Sequence, residues 1–148
     1  MRGCIKDFVS FGTAKLLKDR GFDGLTESYY YDDDSSRLCF GLNSNYNCGR
    51  GSYVNRIAAP TLQDAMAWLR EKEGVSVDVE TTADSEDCDY EFGPTPRDFF
   101  TYEWKLTWIN GSVVSLGDTY GTWEEAVEDG IRYAAETIME SDGSKSEE

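Results

Sequence analysis

Apolar residues recur along this chain at two spacings, every third or fourth position in some segments and every second position in others, and the spacing separates helices from strands. The longest helical stripe lies near the end, where Trp123, Ala126, Val127, Gly130, Ile131, Ala134 and Ile138 share one face and the opposite face is acidic. Thr122 and Glu125 form a capping box at its start. A second stripe joins Leu62, Ala65, Met66 and Leu69 behind Thr61 as N-cap and Asp64 at the third helical position, with Pro60 before it and Gly74 closing it. The first helix is capped by Ser10 and carries Ala14, Leu16 and Leu17 to Gly21, a residue suited to the left-handed C′ position. Phe22 then folds back over Leu17, as a Schellman ending requires.

Alternation marks the strands. Val75, Val77 and Val79 interleave with Ser76, Asp78 and Glu80, a half-buried strand. Tyr102 to Leu116 reads as a hairpin around Asn110-Gly111, the preferred type I′ dipeptide. A two-residue turn there pairs Trp108 with Val113, placing Tyr102, Trp104, Leu106 and Trp108 on one side and Ile109, Val114 and Leu116 on the other. Ser28 to Tyr31 and Arg37 to Phe40 form another hairpin around the polar residues 32–36, followed by an irregular connection over 43–52 and a brief strand within 53–57. The order predicts an α+β fold with an antiparallel or mixed sheet of about four to six short strands and three helices mainly on one face. Residues 1–140 form a single domain in this reading, and the small polar residues 141–148 a disordered acidic tail.

Composition agrees with a folded domain, since hydrophobic residues make up 39% of the chain and aromatic ones 14%, enough to furnish a core. Charge changes the picture more. The net charge is −15, and it is confined to one half: residues 1–72 carry ten Lys/Arg against nine Asp/Glu, residues 73–148 four against twenty. Such a field repels nucleic-acid phosphates and anionic membranes and attracts basic partners or cations. No run of about 20 apolar residues could span a membrane. The chain has no histidine, which removes Ser-His-Asp and Cys-His nucleophile pairs. Its four cysteines, Cys4, Cys39, Cys48 and Cys88, lack zinc spacing, and the start of the chain lacks the apolar core of a secretory signal, so reduced thiols in a cytoplasm are expected, with no metal and no cofactor.

The acidic run supplies the first candidate site, Asp84, Glu86, Asp87, Asp89 and Glu91. Charge runs ordinarily only solvate a loop. Used functionally, these carboxylates would imitate the phosphates of a nucleic acid and engage a basic partner. An EF-hand reading fails because Cys88 stands where an oxygen ligand belongs and the sixth-position glycine is missing. Acid/base hydrolysis by a carboxylate pair would need a separation that spacing in sequence does not define. The alternative site is a stacking platform of Trp104 and Trp108, or of the Tyr29-Tyr30-Tyr31 run, although large aromatics at period two are more often core. Asp32-Asp33-Asp34 and Gly49-Arg50-Gly51-Ser52 read as turns.

The segments FVSFGTAKLLKDRGFD, APTLQDAMAWLREKEGVSVDVE and TYGTWEEAVEDGIRYAAETIM resemble those of short proteins of gut Bacteroidetes and their phages that have no assigned function. They cover less than half the chain and consist of helix caps and apolar stripes. The resemblance implies a shared fold and an intracellular accessory protein of phage or mobile-element origin. With the charge split, it leads to the expectation of a non-enzymatic acidic protein that binds a basic or nucleic-acid-handling host protein, as an inhibitor or DNA mimic. A small-ligand or carbohydrate-binding module built on the aromatic side chains is the alternative.

Overall fold

Ser10 starts the first element, α1 (Phe11–Asp19), by accepting the Thr13 N–H at 3.4 Å. The helix then ends through backbone geometry: Gly21 takes φ +92°, its N–H donates to the Lys18 carbonyl at 3.0 Å, and the Phe22 N–H donates to the Leu17 carbonyl at 2.9 Å. These are the two bonds of a Schellman motif. Phe22 is thereby aimed into the core, edge-on to Trp68 at 5.5 Å between ring centroids.

The computed structural model describes residues 7–83 and 100–146. After α1 come β1 (Thr26–Tyr31), β2 (Asp34–Ser44) and β3 (Arg56–Ala58), an antiparallel sheet in the order β2-β1-β3. Thr61 caps α2 (Leu62–Trp68) by accepting the Asp64 N–H at 3.1 Å. The helix widens into one π turn over Leu69–Glu73 and stops at Gly74, whose φ of +69° is left-handed. Then β4 (Val75–Ala83), β5 (Phe100–Trp108) and β6 (Val113–Val114) make a second antiparallel sheet, ordered β4-β5-β6. The last element, α3 (Trp123–Ser146), begins where Thr122 accepts the Glu125 N–H at 3.1 Å. The fold is α+β, and among the described residues six strands are divided between two sheets rather than joined in one.

The helices join the two sheets. α3 lies on β4 and β5 and touches α1 and α2, while α1 also packs on β3, so the buried residues form one continuous cluster. In β4 and β5 the register pairs Val75 with Trp108, Val77 with Leu106 and Val79 with Trp104, and α3 covers this apolar face with Val127, Ile131, Ala134 and Ile138. Close approach there requires Gly130: a Cβ at that position would stand 2.9 Å from Val77 Cγ1 and 3.2 Å from Trp104 Cβ. Glu128, on the face of α3 that sequence marks as acidic, turns back to α1. Its Oε1 accepts the Ser10 N–H at 2.8 Å and the Thr13 hydroxyl at 2.8 Å.

Two expectations need correction. The β5–β6 hairpin pairs Thr107 with Val113 and Leu106 with Val114, one residue away from the register of a two-residue turn. Ile109 joins Asn110 and Gly111 in a three-residue loop, with Gly111 at φ +91°, because the Ile109 N–H is taken by the Gly74 carbonyl at 2.8 Å and cannot serve the hairpin. Val114 therefore lies on the Leu106 side and Val113 on the other. The helix α3, in turn, continues through Ser146, past Ser141 where composition places a disordered tail. No proline interrupts residues 139–146, and one glycine costs a formed helix only about 1 kcal/mol.

Gly130→Ala separates packing from helix propensity. Alanine favours the helix by about 1 kcal/mol, yet the clash with Val77 and Trp104 is expected to lower stability by about 1–3 kcal/mol net, read as an earlier midpoint in urea unfolding.

Candidate functional site

The outer face of the second sheet is where the acidic half of the chain becomes geometry. Ser76, Asp78, Glu80 and Thr82 alternate with the buried valines of β4, and the ladder sets Asp78 opposite Lys105 and Glu80 opposite Glu103. Lys105 Nζ lies 3.3 Å from Glu80 Oε1, and the Ser115 hydroxyl donates to Glu103 Oε1 at 2.7 Å. Two glutamates directly across a strand pair repel one another. Among the described residues of this face the Lys105 ammonium stands with three carboxylates and pairs with one of them, Glu80, so the face stays anionic. The ladder ends at the pair Ala83 and Phe100, so the connection bearing Asp84, Glu86, Asp87, Asp89 and Glu91 leaves and re-enters the sheet at the end nearest Glu80 and Glu103. Those five residues lie outside the described residues.

Two other acids of this half have structural duties. Asp129 Oδ2 accepts the Trp104 indole N–H at 3.0 Å and also the Tyr120 hydroxyl, to which the same indole N–H points at 3.2 Å. Glu128 serves α1, as above. Trp104 is 2% exposed, with its ring 5.1 Å from that of Tyr133, which leaves no face for a ligand to stack on. Trp108 is half-buried against the same core, paired with Val75. The reason is the period-two placement itself, which puts both rings on the sheet face that α3 covers.

The Tyr29-Tyr30-Tyr31 run divides between the two faces of the first sheet. Tyr30 points inward, and its hydroxyl donates to the Val9 carbonyl at 2.9 Å. Tyr29 and Tyr31 point outward and meet Tyr46 and Tyr53 from the connection between β2 and β3. These four rings surround the Arg56 guanidinium, whose carbon stands 4.6 Å from the Tyr29 centroid, 5.5 Å from Tyr31, 5.9 Å from Tyr46 and 5.3 Å from Tyr53. A basket that could hold a cationic ligand is thus filled by the chain's own arginine. Asn47 fixes the connection above it, donating to the Phe22 carbonyl at 2.9 Å and accepting the Ala58 N–H at 2.8 Å. Sequence gave one signal for this cluster, two tyrosines set among the glycines and amides of a polar connection.

A cleft of about 420 Å³ opens between the start of β1, the middle of β2 and the start of α2. Phe8, Phe40 and Leu25 supply its apolar walls, and Glu27, Asn43 and Asp64 its polar ones. None of these residues forms a motif in sequence, because they come from four separate segments. Among the described residues no three His, Cys, Asp or Glu side chains gather as a metal site, Cys39 and Cys48 are free thiols, and no helix is long and apolar enough to cross a membrane.

No protein-family model matches the chain, and no curated protein or solved structure is significantly similar to it.

The buried phenols give the molecule an alkaline limit. Burial raises the pKa of Tyr30, Tyr46 and Tyr120 above the usual 10.0, helped by Glu128 at Tyr30 and by the Asp129 bond at Tyr120. At Tyr29 a hydrogen bond with Tyr31 and burial do the same, against the pull of Arg56. The folded chain holds these protons to higher pH than the unfolded chain does. Stability is therefore complete below about pH 10 and falls as pH rises through the folded values. Urea unfolding should show a midpoint that is flat with respect to tyrosine ionisation up to about pH 9.5 and drops beyond it, with ultraviolet titration showing part of the tyrosines ionising late.

Proposed function

We propose that this is a non-enzymatic interaction protein that presents carboxylates to a basic, nucleic-acid-handling partner, as an inhibitor that occupies a phosphate-binding surface. The observation that carries the reading is the Ala83 and Phe100 pair, which joins the run Asp84–Glu91 to a sheet end already carrying Glu80 opposite Glu103. Cross-strand neighbours stand about 4.5–5.5 Å apart, so the two glutamates repel in the free protein. Lysine or arginine side chains of a partner would relieve that repulsion on docking, adding to the attraction exerted by the whole acidic half. An accessory role in phage biology follows from the sequence resemblance.

The test is capture of partners from a nuclease-treated lysate of a gut Bacteroidetes host, comparing the natural chain with a variant carrying Asp84→Asn, Glu86→Gln, Asp87→Asn and Asp89→Asn, and with Glu103→Gln alone. A nucleic-acid enzyme that is captured at low salt, released at high salt and lost with the fourfold variant supports the reading. Glu103→Gln should weaken capture while leaving stability unchanged or raising it by about 0.2–1 kcal/mol, because it removes the repulsion with Glu80. Capture that ignores both salt and neutralisation overturns it.

A further inference from the structure

We infer that the outer edge of β4 docks an extended cationic segment of a partner as a further strand of the second sheet, an assignment that rests on the basic partner proposed above and names the element that holds it. Hydrogen-bond parity defines the edge. The Ile109 N–H donates to the Gly74 carbonyl at 2.8 Å and the Trp108 N–H to the Ser112 carbonyl at 2.8 Å, so successive residues of β5 turn their backbone groups alternately toward β4 and away from it. Followed down the ladder, Ser76, Asp78, Glu80 and Thr82 bond to β5, and the N–H and C=O groups of Val77, Val79, Thr81 and Ala83 point to the other side. The bonds exchanged by Tyr102 and Tyr120 obey the same parity, since Tyr102 stands opposite Thr81 and bonds away from it. Among the described residues no strand lies beside that outward row. Val79 is half-buried and residues 80–83 are exposed, so the row is open to solvent from Val79 onward.

Short strands, bulges, prolines and edge lysines are the usual means of keeping a sheet edge unpaired. The other edges among the described residues use them: β3 has three residues, β6 has two, and the ladder of β2 with β1 is broken by register shifts between Thr26 and Ser28 and between Tyr29 and Tyr31. β4 has none of these features. Its nine pairs with β5 run in unbroken register, and its sequence holds no proline and no lysine. Charge then selects the occupant. On the solvent face Asp78 meets the Ser76 hydroxyl at 3.4 Å and forms no ion pair among the described residues, while Glu80 faces Glu103 across the ladder. A second copy pairing through β4 would set Asp78 and Glu80 against the same carboxylates, and like charges on neighbouring strands destabilise a pair. A strand with Lys or Arg at alternate positions places a cation beside each of them, and its apolar residues in between continue the valine face of β4. Main-chain bonds then supply the attachment, and the alternating side chains the choice of partner.

The experiment titrates the full chain with a peptide of about eight residues alternating lysine and valine, following amide signals and hydrogen exchange by NMR. In the free chain the amides of Val79, Thr81 and Ala83 are expected to exchange at least about tenfold faster than those of Asp78, Glu80 and Thr82, and to become protected as the peptide saturates. The same peptide with methylated backbone nitrogens keeps its charge and loses its donors, and should bind at least about tenfold more weakly. Thr81→Pro removes one outward N–H and none of the bonds to β5, and should weaken the unmodified peptide by a similar factor. The methylated peptide reads the same interaction with the protein unaltered, whatever that variant does to the fold. The unmodified peptide should still bind the chain carrying Asp84→Asn, Glu86→Gln, Asp87→Asn and Asp89→Asn, so failure of the acidic connection and failure of the edge are read separately. Equal affinity for the methylated peptide would overturn the assignment and leave a basic partner held by charge alone. Slow exchange at Val79, Thr81 and Ala83 in the free chain would overturn it too, by showing the edge already paired, as would the absence of saturable binding.

Discussion

The Glu128 carboxylate holds the first helix to the last. The two sheets have no ladder between them, and their cores merge through the helices, so the contact of α1 with α3 decides whether the molecule is one body. In that contact Glu128 accepts the Ser10 N–H and the Thr13 hydroxyl at the start of α1. A carboxylate there compensates unpaired N–H groups at a helix N-terminus and favours the positive end of the helix dipole. Hydrogen bonds to a charged group contribute about 1.5–3 kcal/mol. The arrangement is also demanding, since Glu128 Oε2 is sealed from solvent without a partner among the described residues and the charge raises the pKa of nearby Tyr30. Loss of α1 would uncover Val9, Phe22 and Tyr30 together.

Sequence and structure agree where the deciding contacts are local. Ser10, Gly21 and Phe22 specify the bounds of α1 within a dozen residues, and the stripe of α3 from Ala126 to Ile138 is buried as its spacing implies. The face shared by Tyr102, Trp104, Leu106 and Trp108 is likewise set by strand geometry alone. Agreement fails where a distant group intervenes. The Asn110-Gly111 hairpin shifts by one residue because Gly74, at the far end of the neighbouring strand, takes the Ile109 N–H. Glu128 and Asp129 look like surface acids until α1 and Trp104 arrive beside them. The cleft is the extreme case, since residues 8, 25–28, 40–43 and 59–64 meet only in the finished fold.

The anionic face of the second sheet has a structural use as well as the proposed functional one. Among the described residues β4 is an edge strand of nine residues, long enough to invite pairing with another chain. Asp78 and Glu80 guard that edge. A face kept acidic against self-association is thereby already suited to a cationic surface, and one composition answers both demands.

The basket around Arg56 has a consequence for motion. On the outer side of the first sheet stand four tyrosines and one guanidinium from residues 29–58, with the Asn47 bonds to Phe22 and Ala58 beside them. The connection between β2 and β3 is therefore a latch held by this ring cluster, which adjoins the shared core through Tyr29 and Tyr46 but lies away from α3 and the second sheet. Its opening would cost the ring and cation contacts and the two Asn47 bonds, and the chain would have two levels of protection, a latch that exchanges early and a helical centre that yields only when the whole molecule does.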